Sequence, residues 1–491
     1  MNKVFYIFCF LFLVYACKKE IVDFNSSPTD NFELDALLEM NGEPCLFDAK
    51  RNTLKYSILE SELVNFSPLI SFKENAEVDF EETALLNNSV NVLGSLNLQT
   101  PYEIKLTYGG ETKILSLIFT EAPLVQLVVL NEIVNGQKVR AKLSIYYPQK
   151  DKPSTTEYCG VEYRGYSSLK YDKKSFGLKV YQGENTIEPK LANFFNSVPS
   201  YTWVLNAMFV DKSKLRNKTA FEIWNEIPTN TKAASSEYVE VYLNNALQGV
   251  YTLTQKYSKE SLNLGESALL YEGLDNSVYS DFNTFLNSTP ISNTWGDWEQ
   301  RIPDPAYQIN WEDFRSLAQL IADGSEEDFI SKVQSLIDLN KVVDYYLFVN
   351  LLVASDNVGK NWCFLKKNAS SKFEILPWDL DGTFGRNPFG EKTPATDYLV
   401  SNSFFNRFIS TNVGGFNQLL KMRWTELRAT AFSNNTLFQL LNTNFHQLHK
   451  YKAIELENEI WDANLASHLE QFYTQNWLSD RLQYLDNLFA E

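Results

Sequence analysis

The hydrophobic pattern of this chain changes period once, and that change limits the folds open to it. From Phe32 to about Lys256 the apolar residues come in short runs, many of them alternating, broken by turn residues, as strands require. Beyond Trp311 they recur at helical spacing through to Phe489. A chain of 491 residues also exceeds what one hydrophobic core covers, so two folding units are expected.

The first unit is read from Leu54 to Leu59, Ser89 to Leu98, Tyr102 to Tyr108 and Lys113 to Phe119, with Asn41-Gly42 and Gly109-Gly110 as turns. This spacing predicts a small β-sandwich of immunoglobulin-like type over residues 32–121, a spacer or binding module without a catalytic cluster. The second unit, over residues 122–490, begins with Leu124 to Val134, Val139 to Tyr147, Gly160 to Arg164, Phe176 to Tyr181, Tyr201 to Ala207 and a hairpin in Tyr238 to Lys256. One helix interrupts them, with Asp211 as N-cap and Leu215, Ala220, Phe221 and Trp224 on its apolar face before Pro228. Phe314 to Ile321, Phe329 to Ile337 and Val342 to Val353 then read as helices. The expected class is α+β: a β-rich lobe followed by a helical lobe, with a ligand cleft between them.

At the N-terminus, Lys3 precedes an apolar run from Val4 to Val14 and then Tyr15, Ala16 and Cys17. The run is too short to span a bilayer and reads as a signal peptide over residues 1–17. Val14-Tyr15-Ala16-Cys17 resembles a bacterial lipobox, which implies acylation of Cys17, a bilayer as partner and a tether over residues 18–31. The expected location is the cell envelope, at the periplasmic or surface face of the outer membrane. An ordinary secretory signal with an incidental Cys17 is the plainer alternative. Cys45, Cys159 and Cys363 then remain, too few for a disulfide framework and without zinc spacing. His446 and His449 lack an HExxH context and read as solvated helix residues. A formal net charge of −17 argues against nucleic acid as a partner, since nucleic-acid binders concentrate Lys and Arg. Any phosphate chemistry belongs in a local pocket.

The chemistry-bearing stretch lies between helical regions: Ser355-Asp356-Asn357-Val358-Gly359-Lys360-Asn361-Trp362, then Trp378-Asp379-Leu380-Asp381-Gly382-Thr383-Phe384-Gly385. Trp362 to Leu365 and Phe373 to Leu376 would form a hairpin that returns Asp379 beside Asp356 and Asn361. Protein kinases place a base Asp five residues before a metal-binding Asn, followed by a metal-binding Asp, because phosphoryl transfer rests on positioning and charge neutralisation. Mg²⁺ asks for a few carboxylate or amide oxygens and keeps its remaining positions for phosphate and water. The alternative makes Asp356 and Asn357 turn caps and Asp379 and Asp381 parts of an acidic loop.

With Tyr163-Arg164-Gly165-Tyr166-Ser167-Ser168, Lys173-Lys174-Ser175-Phe176, Leu215-Arg216-Asn217-Lys218, the hairpin Val241 to Tyr251, Arg423-Trp424 and Trp477 with Arg481, these motifs resemble the CotH kinase family (spore coat protein H-like) from about Leu124 to Phe489. The resemblance implies an atypical protein-kinase-like fold, ATP with Mg²⁺ or Mn²⁺ as cofactors, and Ser or Thr of an exported protein as substrate. It makes Asp356 the catalytic aspartate, Asn361 and Asp379 the metal ligands, and Asp381 their assistant. Arg164, Ser167, Lys174 and Lys256 form the nucleotide-binding set. The blander reading makes Lys173 and Lys174 exposed strand residues and Arg164 a buried ion-pair member. Gln255 departs from the family, which often has an acidic residue before the lysine. Free ATP is scarce outside the inner membrane, so a kinase-fold surface protein that binds without turnover is the alternative function. A glycan-active enzyme fits less well, since it would not call for Asn361 or the basic segment.

Overall fold

The computed structural model describes residues 22–23, 37–149, 151–165, 167–195, 197–274, 282–305, 308–463, 465 and 467–490. The expected signal segment, Cys17 and the tether apart from Val22–Asp23 lie outside the described residues.

The chain is mixed α and β. Two sheets open it: one runs Leu46–Asp48, Thr53–Ser57, Glu111–Thr120, Pro101–Tyr108, Glu77–Phe80, Thr83–Ala84, the other Glu43–Pro44, Glu39–Met40, Leu69–Ser71, Ser89–Val90. Alternation along the strands sends Leu54, Ile70, Ile104, Leu117 and Phe119 into one shared core. Gly109 and Gly110 have φ of 61° and 83°, the pair of left-handed positions that a tight hairpin turn requires, and they join Pro101–Tyr108 to Glu111–Thr120. The strand expected from Ser89 to Leu98 stops at Val90. Gly94, at φ 83°, breaks the regular pairing, and the N–H groups of Asn91, Leu93 and Leu96 instead bond the carbonyls of Pro68, Phe66 and Leu63.

The next sheet closes on itself. Its order is Lys138–Tyr146, Leu124–Val129, Ser236–Leu243, Ala246–Gln255, Thr202–Asn206, Ser175–Tyr181, Thr155–Arg164, and Thr155–Arg164 pairs again with Lys138–Tyr146. Val22–Asp23 adds a short parallel strand to Lys138–Val139. One face of the ring buries Val125, Leu143, Val161, Leu178, Leu205, Val239 and Tyr251 together. The alternate residues Leu124, Tyr238, Tyr242 and Val250 pack with Leu448 and Leu456 from the helices Asn434–Lys450 and Ala453–Trp461 and with Tyr451 between those helices. The inserted helix is Arg216–Asn225 and starts later than expected. Asp211 is not its N-cap; its carboxylate instead accepts from the N–H groups of Ser213 and Arg216 and pairs with the Arg216 guanidinium.

A five-stranded sheet follows, in the order Thr294–Trp295, Trp298–Ile302, Leu269–Gly273, Trp362–Lys366, Phe373–Pro377. The helix Leu339–Leu352 passes behind it, with Asp338 capping its first turn and nearly every side chain buried in the largest core. Cys45, Cys159 and Cys363 are buried free thiols.

A buried ion pair connects the first part of the chain to the closed sheet: Lys55 Nζ stands 2.6 Å from Glu240 Oε2, with side chains 5% and 0% exposed. Removing one partner of such a pair leaves a charge buried without compensation. Lys55→Met should therefore lower the free energy of urea unfolding by about 3–5 kcal/mol, while Lys55→Met with Glu240→Leu should recover most of that loss. Equal losses in the single and double variants would contradict the pairing.

Candidate functional site

The helix Leu339–Leu352 ends on Val353, a β-branched residue in the left-handed region at φ 51°. The chain then turns through Ser355–Val358 and enters Trp362–Lys366. Asn361 and Asp379 are left-handed as well, at φ 57° and 49°. Such conformations cost of order 1–3 kcal/mol each and persist where surrounding bonds over-determine them. Those bonds are present. Trp362 pairs with Pro377 at the hairpin end, so the Trp378 N–H donates to Asn361 O (2.8 Å). The Asn357 amide donates to both Asn361 O (2.9 Å) and Trp378 O (2.7 Å), stitching the two loops together. Asn361 N–H donates to Gly273 O (2.9 Å); a Cβ on Gly273 would stand 2.8 Å from the Trp362 ring, so only glycine allows this approach.

Within this frame Asn361 Nδ2 donates to Asp356 Oδ2 at 3.0 Å, and Lys360 Nζ lies 3.0 Å from the same oxygen. Leu380 N–H donates to Asn217 Oδ1 (2.9 Å), and the fully buried Arg216 donates to Thr383 O (2.9 Å), so the helix Arg216–Asn225 holds the loop that carries Asp379 and Asp381. Trp378 packs against Phe221 and Tyr257, and the Tyr257 hydroxyl donates to Pro377 O (2.7 Å). That last bond draws Lys256, the preceding residue, toward the hairpin end.

The electrostatics follow from this crowding. Asp379 and Asp381 keep some open surface, yet burial raises both carboxyls above the usual range. Arg164 opposes the rise at Asp379, while Asp356 adds to it. At Asp381 the charge of Asp379 adds further. Lys360 is pulled down by burial but pushed further up by Asp356, Asp379 and Asp381. Carboxylates that repel one another across a small volume suit a divalent cation. Among the described residues no three His, Cys, Asp or Glu side chains are gathered tightly enough to hold a metal alone. An oxygen donor set here must therefore draw on the Asn361 amide as well as on Asp379, leaving positions for other oxygen ligands.

A basic group is linked to the carboxylates through Arg164, which acts on both Asp379 and Lys256. Lys256 is brought down to about 7, first by the charge of Arg301 and then by burial, with Arg164 adding to the push and Glu272 resisting it. Glu272, despite burial, is held below its usual range by Arg301 and Lys256. The side chains of Arg164 and Lys256 make no hydrogen bond or ion pair with any described residue.

The other expected members of the basic set sit elsewhere. Lys174 Nζ donates to Leu169 O (2.7 Å) and to Tyr171 O, so it braces the turn Ser167–Lys170 rather than joining Arg164. Ser167 opens that turn, and its side chain lies outside the described residues. Gly165, at φ 111°, leaves no room for a Cβ beside the Ser168 hydroxyl, so the turn after Arg164 is built around glycine. Lys173 is neither exposed nor in a strand: it is buried against Glu457 Oε1 (2.6 Å) and Val250 O. Arg301 and Glu272 were not singled out in the sequence, because they fall between Lys256 and Trp311, where no motif marks them.

Folded Lys256 releases its proton near pH 7, whereas an unfolded lysine does so near about 10.4, so the unfolded chain binds more protons between these values and stability rises with pH across that window. In chelator-treated protein, Lys256→Met should raise the melting temperature most near about pH 6, and this advantage should shrink by about pH 9. A difference independent of pH would contradict the crowding of Lys256 by Arg301.

A family profile described as "CotH kinase protein" matches residues 161–485, well over half of the chain. Inner spore coat protein H of Bacillus subtilis strain 168 is 24% identical over 247 residues, covering 50% of this chain and 63% of that protein, so the likeness spans less than two thirds of the relative's length. The crystal structure of a Helicobacter pylori proinflammatory kinase, CtkA, aligns over 75% of this chain and 96% of its own at 13% identity, with a TM-score of 0.24, and at that score the likeness carries no argument. The matched stretch includes Arg164, Lys256, Asp356, Asn361 and Asp379. This chain belongs to the CotH kinase family.

Proposed function

We propose that the protein is an atypical protein kinase that transfers the γ-phosphoryl group of ATP to a Ser or Thr hydroxyl of an exported protein. The observation that carries this reading is that Asp356 and Asn361 are bonded to each other and tied through Trp378 to the loop of Asp379, while Arg164, which acts on Asp379, and Lys256 make no ion pair with any described residue. Unpaired cations next to crowded carboxylates suit a ligand that is itself anionic and arrives with a divalent metal.

In this mechanism the Asn361 amide oxygen, Asp379 and Asp381 would hold Mg²⁺ or Mn²⁺, which would supply neutralisation of phosphate charge. Arg164 and Lys256 take the phosphate oxygens from the other side. The substrate hydroxyl oxygen forms a bond to the γ-phosphorus as the bond from phosphorus to the β–γ bridging oxygen breaks, and ADP leaves with that electron pair. Asp356, steadied at Oδ2 by Asn361 and Lys360, orients the hydroxyl and accepts its proton. Asn217 and Arg216 take no part in the chemistry and keep the Asp379 loop in place.

The same reading treats the closed sheet as a β-rich lobe and the helices with the five-stranded sheet as the second lobe of one unit over residues 122–490. It treats residues 32–121 as an immunoglobulin-like spacer that sets this unit away from a membrane. Acylation of Cys17 would supply the anchor, placing the enzyme at the cell envelope, on the periplasmic or surface face of the outer membrane.

The test uses protein lacking residues 1–17, labelled ATP, and Mg²⁺ or Mn²⁺, beside Asp379→Ala and Asp356→Ala. Metal-dependent label transfer should occur in the parent and fall by about 10³-fold or more in each variant. Neither transfer nor metal-dependent nucleotide binding in the parent would leave a surface binding protein as the better reading, and full transfer by the variants would overturn the residue roles.

A further inference from the structure

Arg301 lies on Trp298–Ile302, which pairs with Leu269–Gly273, and that strand pairs on its other edge with Trp362–Lys366. In this register Glu272 stands opposite Glu299 on one side and Cys363 on the other, two residues after Asn361. The sheet whose hairpin carries the acidic loop therefore also carries Arg301, on the strand next to Leu269–Gly273.

Two carboxylates hold the guanidinium. Nε donates to Glu272 Oε2 at 2.5 Å and Nη1 to Glu299 Oε1 at 2.7 Å. Nη2 makes no hydrogen bond to a described residue, and the side chain is 26% exposed. A planar guanidinium fixed along one edge presents its remaining N–H groups in a set direction, which favours bidentate recognition of a phosphate.

Lys256 and Arg164 complete the surroundings. Arg301 is the strongest influence on Lys256, Arg164 acts on Lys256 and on Asp379, and Glu272 acts on Asp379 as well. These groups thus lie close enough to act on one another and on the acidic loop. Glu272 and Glu299 are both in ion-pair contact with Arg301, and Glu299 also accepts from the Asn293 amide at 2.9 Å, whereas Arg164 and Lys256 have no carboxylate of a described residue at ion-pair distance. An anion carrying more than one charge gains more than a monoanion does from Arg164, Lys256 and the open Nη2 edge of Arg301 together.

We propose that Arg301 is a polyphosphate-binding residue that, with Arg164 and Lys256, makes the cleft select di- and triphosphates over monophosphates. This assignment rests on the nucleotide reading above and adds to it a residue on a strand outside the recognised motifs. Glu272 and Glu299 act as positioning residues, since they hold Arg301 in place before a ligand arrives.

Calorimetric titration of the full chain in detergent with Mn²⁺ tests it, using AMP, ATP and inorganic tripolyphosphate as probes. Arg301→Gln should weaken ATP and tripolyphosphate by about tenfold or more and AMP by less than about twofold. Because Arg301→Gln strands two carboxylates, Arg301→Gln with Glu272→Gln serves as the folded comparison and should show the same selective loss. Arg301→Lys, which keeps the charge without the fork, should fall between them. If the parent binds ATP and tripolyphosphate but the folded variants keep parental affinities, or lose AMP as much as ATP, the Arg301 assignment is overturned and the nucleotide reading stands. If the parent binds neither ATP nor tripolyphosphate, both are overturned.

Discussion

The pairing of Trp362 with Pro377 at the end of one β-hairpin sets everything around the site. It places Asn361 and Trp378 within backbone hydrogen-bond reach, so the residue after Trp378 must project beside Asp356. Because side chains alternate along a strand and both faces of this hairpin are buried, a slip of one residue would exchange Ile375 and Leu376 between two packed faces and carry Asp379 away. That slip is opposed on both sides. Trp362 is fully buried among Trp298, Phe364, Phe404 and Phe405, and Asn357 bonds both strand ends at once. Left-handed backbone at Asn361 and Asp379 is tolerated only inside such a frame.

The charge of the chain as a whole and the groups around the site differ in character. A net −17 spread over the molecule repels polyanions at a distance, while Arg164 near Asp379, with Lys256 and Arg301 beyond it, supplies cations that a polyanion can meet. The buried lysines away from the cleft are spent on architecture. Lys173 and Lys214 both reach Glu457, which enters the closed sheet where Gly249, at φ 89°, leaves space for its carboxylate. Lys55 joins Glu240. What distinguishes Lys256 from these is that no carboxylate of a described residue lies at ion-pair distance from it, although Glu272 and Glu299 act on it from further off.

Much of this was legible in the sequence, for physical reasons that differ by element. The hairpin at Trp362 and the strands of the closed sheet announce themselves by alternation, and the five-residue offset from Asp356 to Asn361 marks the loop between helix and strand. The closure of the sheet is not readable, because it depends on Thr155–Arg164 pairing with both Lys138–Tyr146 and Ser175–Tyr181. Lys174 looked like a phosphate partner, since spacing cannot reveal that its ammonium is consumed by the carbonyls of its own turn. Asp211 looked like a helix cap, and is instead the buried partner of Arg216. Arg301 carried no signal, since an alternating Glu-Gln-Arg stretch resembles any solvated strand face until pairing places it beside Glu272.

The most direct test of the central claim is a crystal structure with Mn²⁺ and a non-hydrolysable ATP analogue, with data collected for anomalous scattering from manganese. The account predicts an anomalous peak coordinated by the Asn361 side-chain oxygen and the Asp379 carboxylate, with the phosphates against Arg164 and Lys256. A nucleotide bound with its phosphates away from this cleft, or manganese held without Asn361 and Asp379, would contradict it.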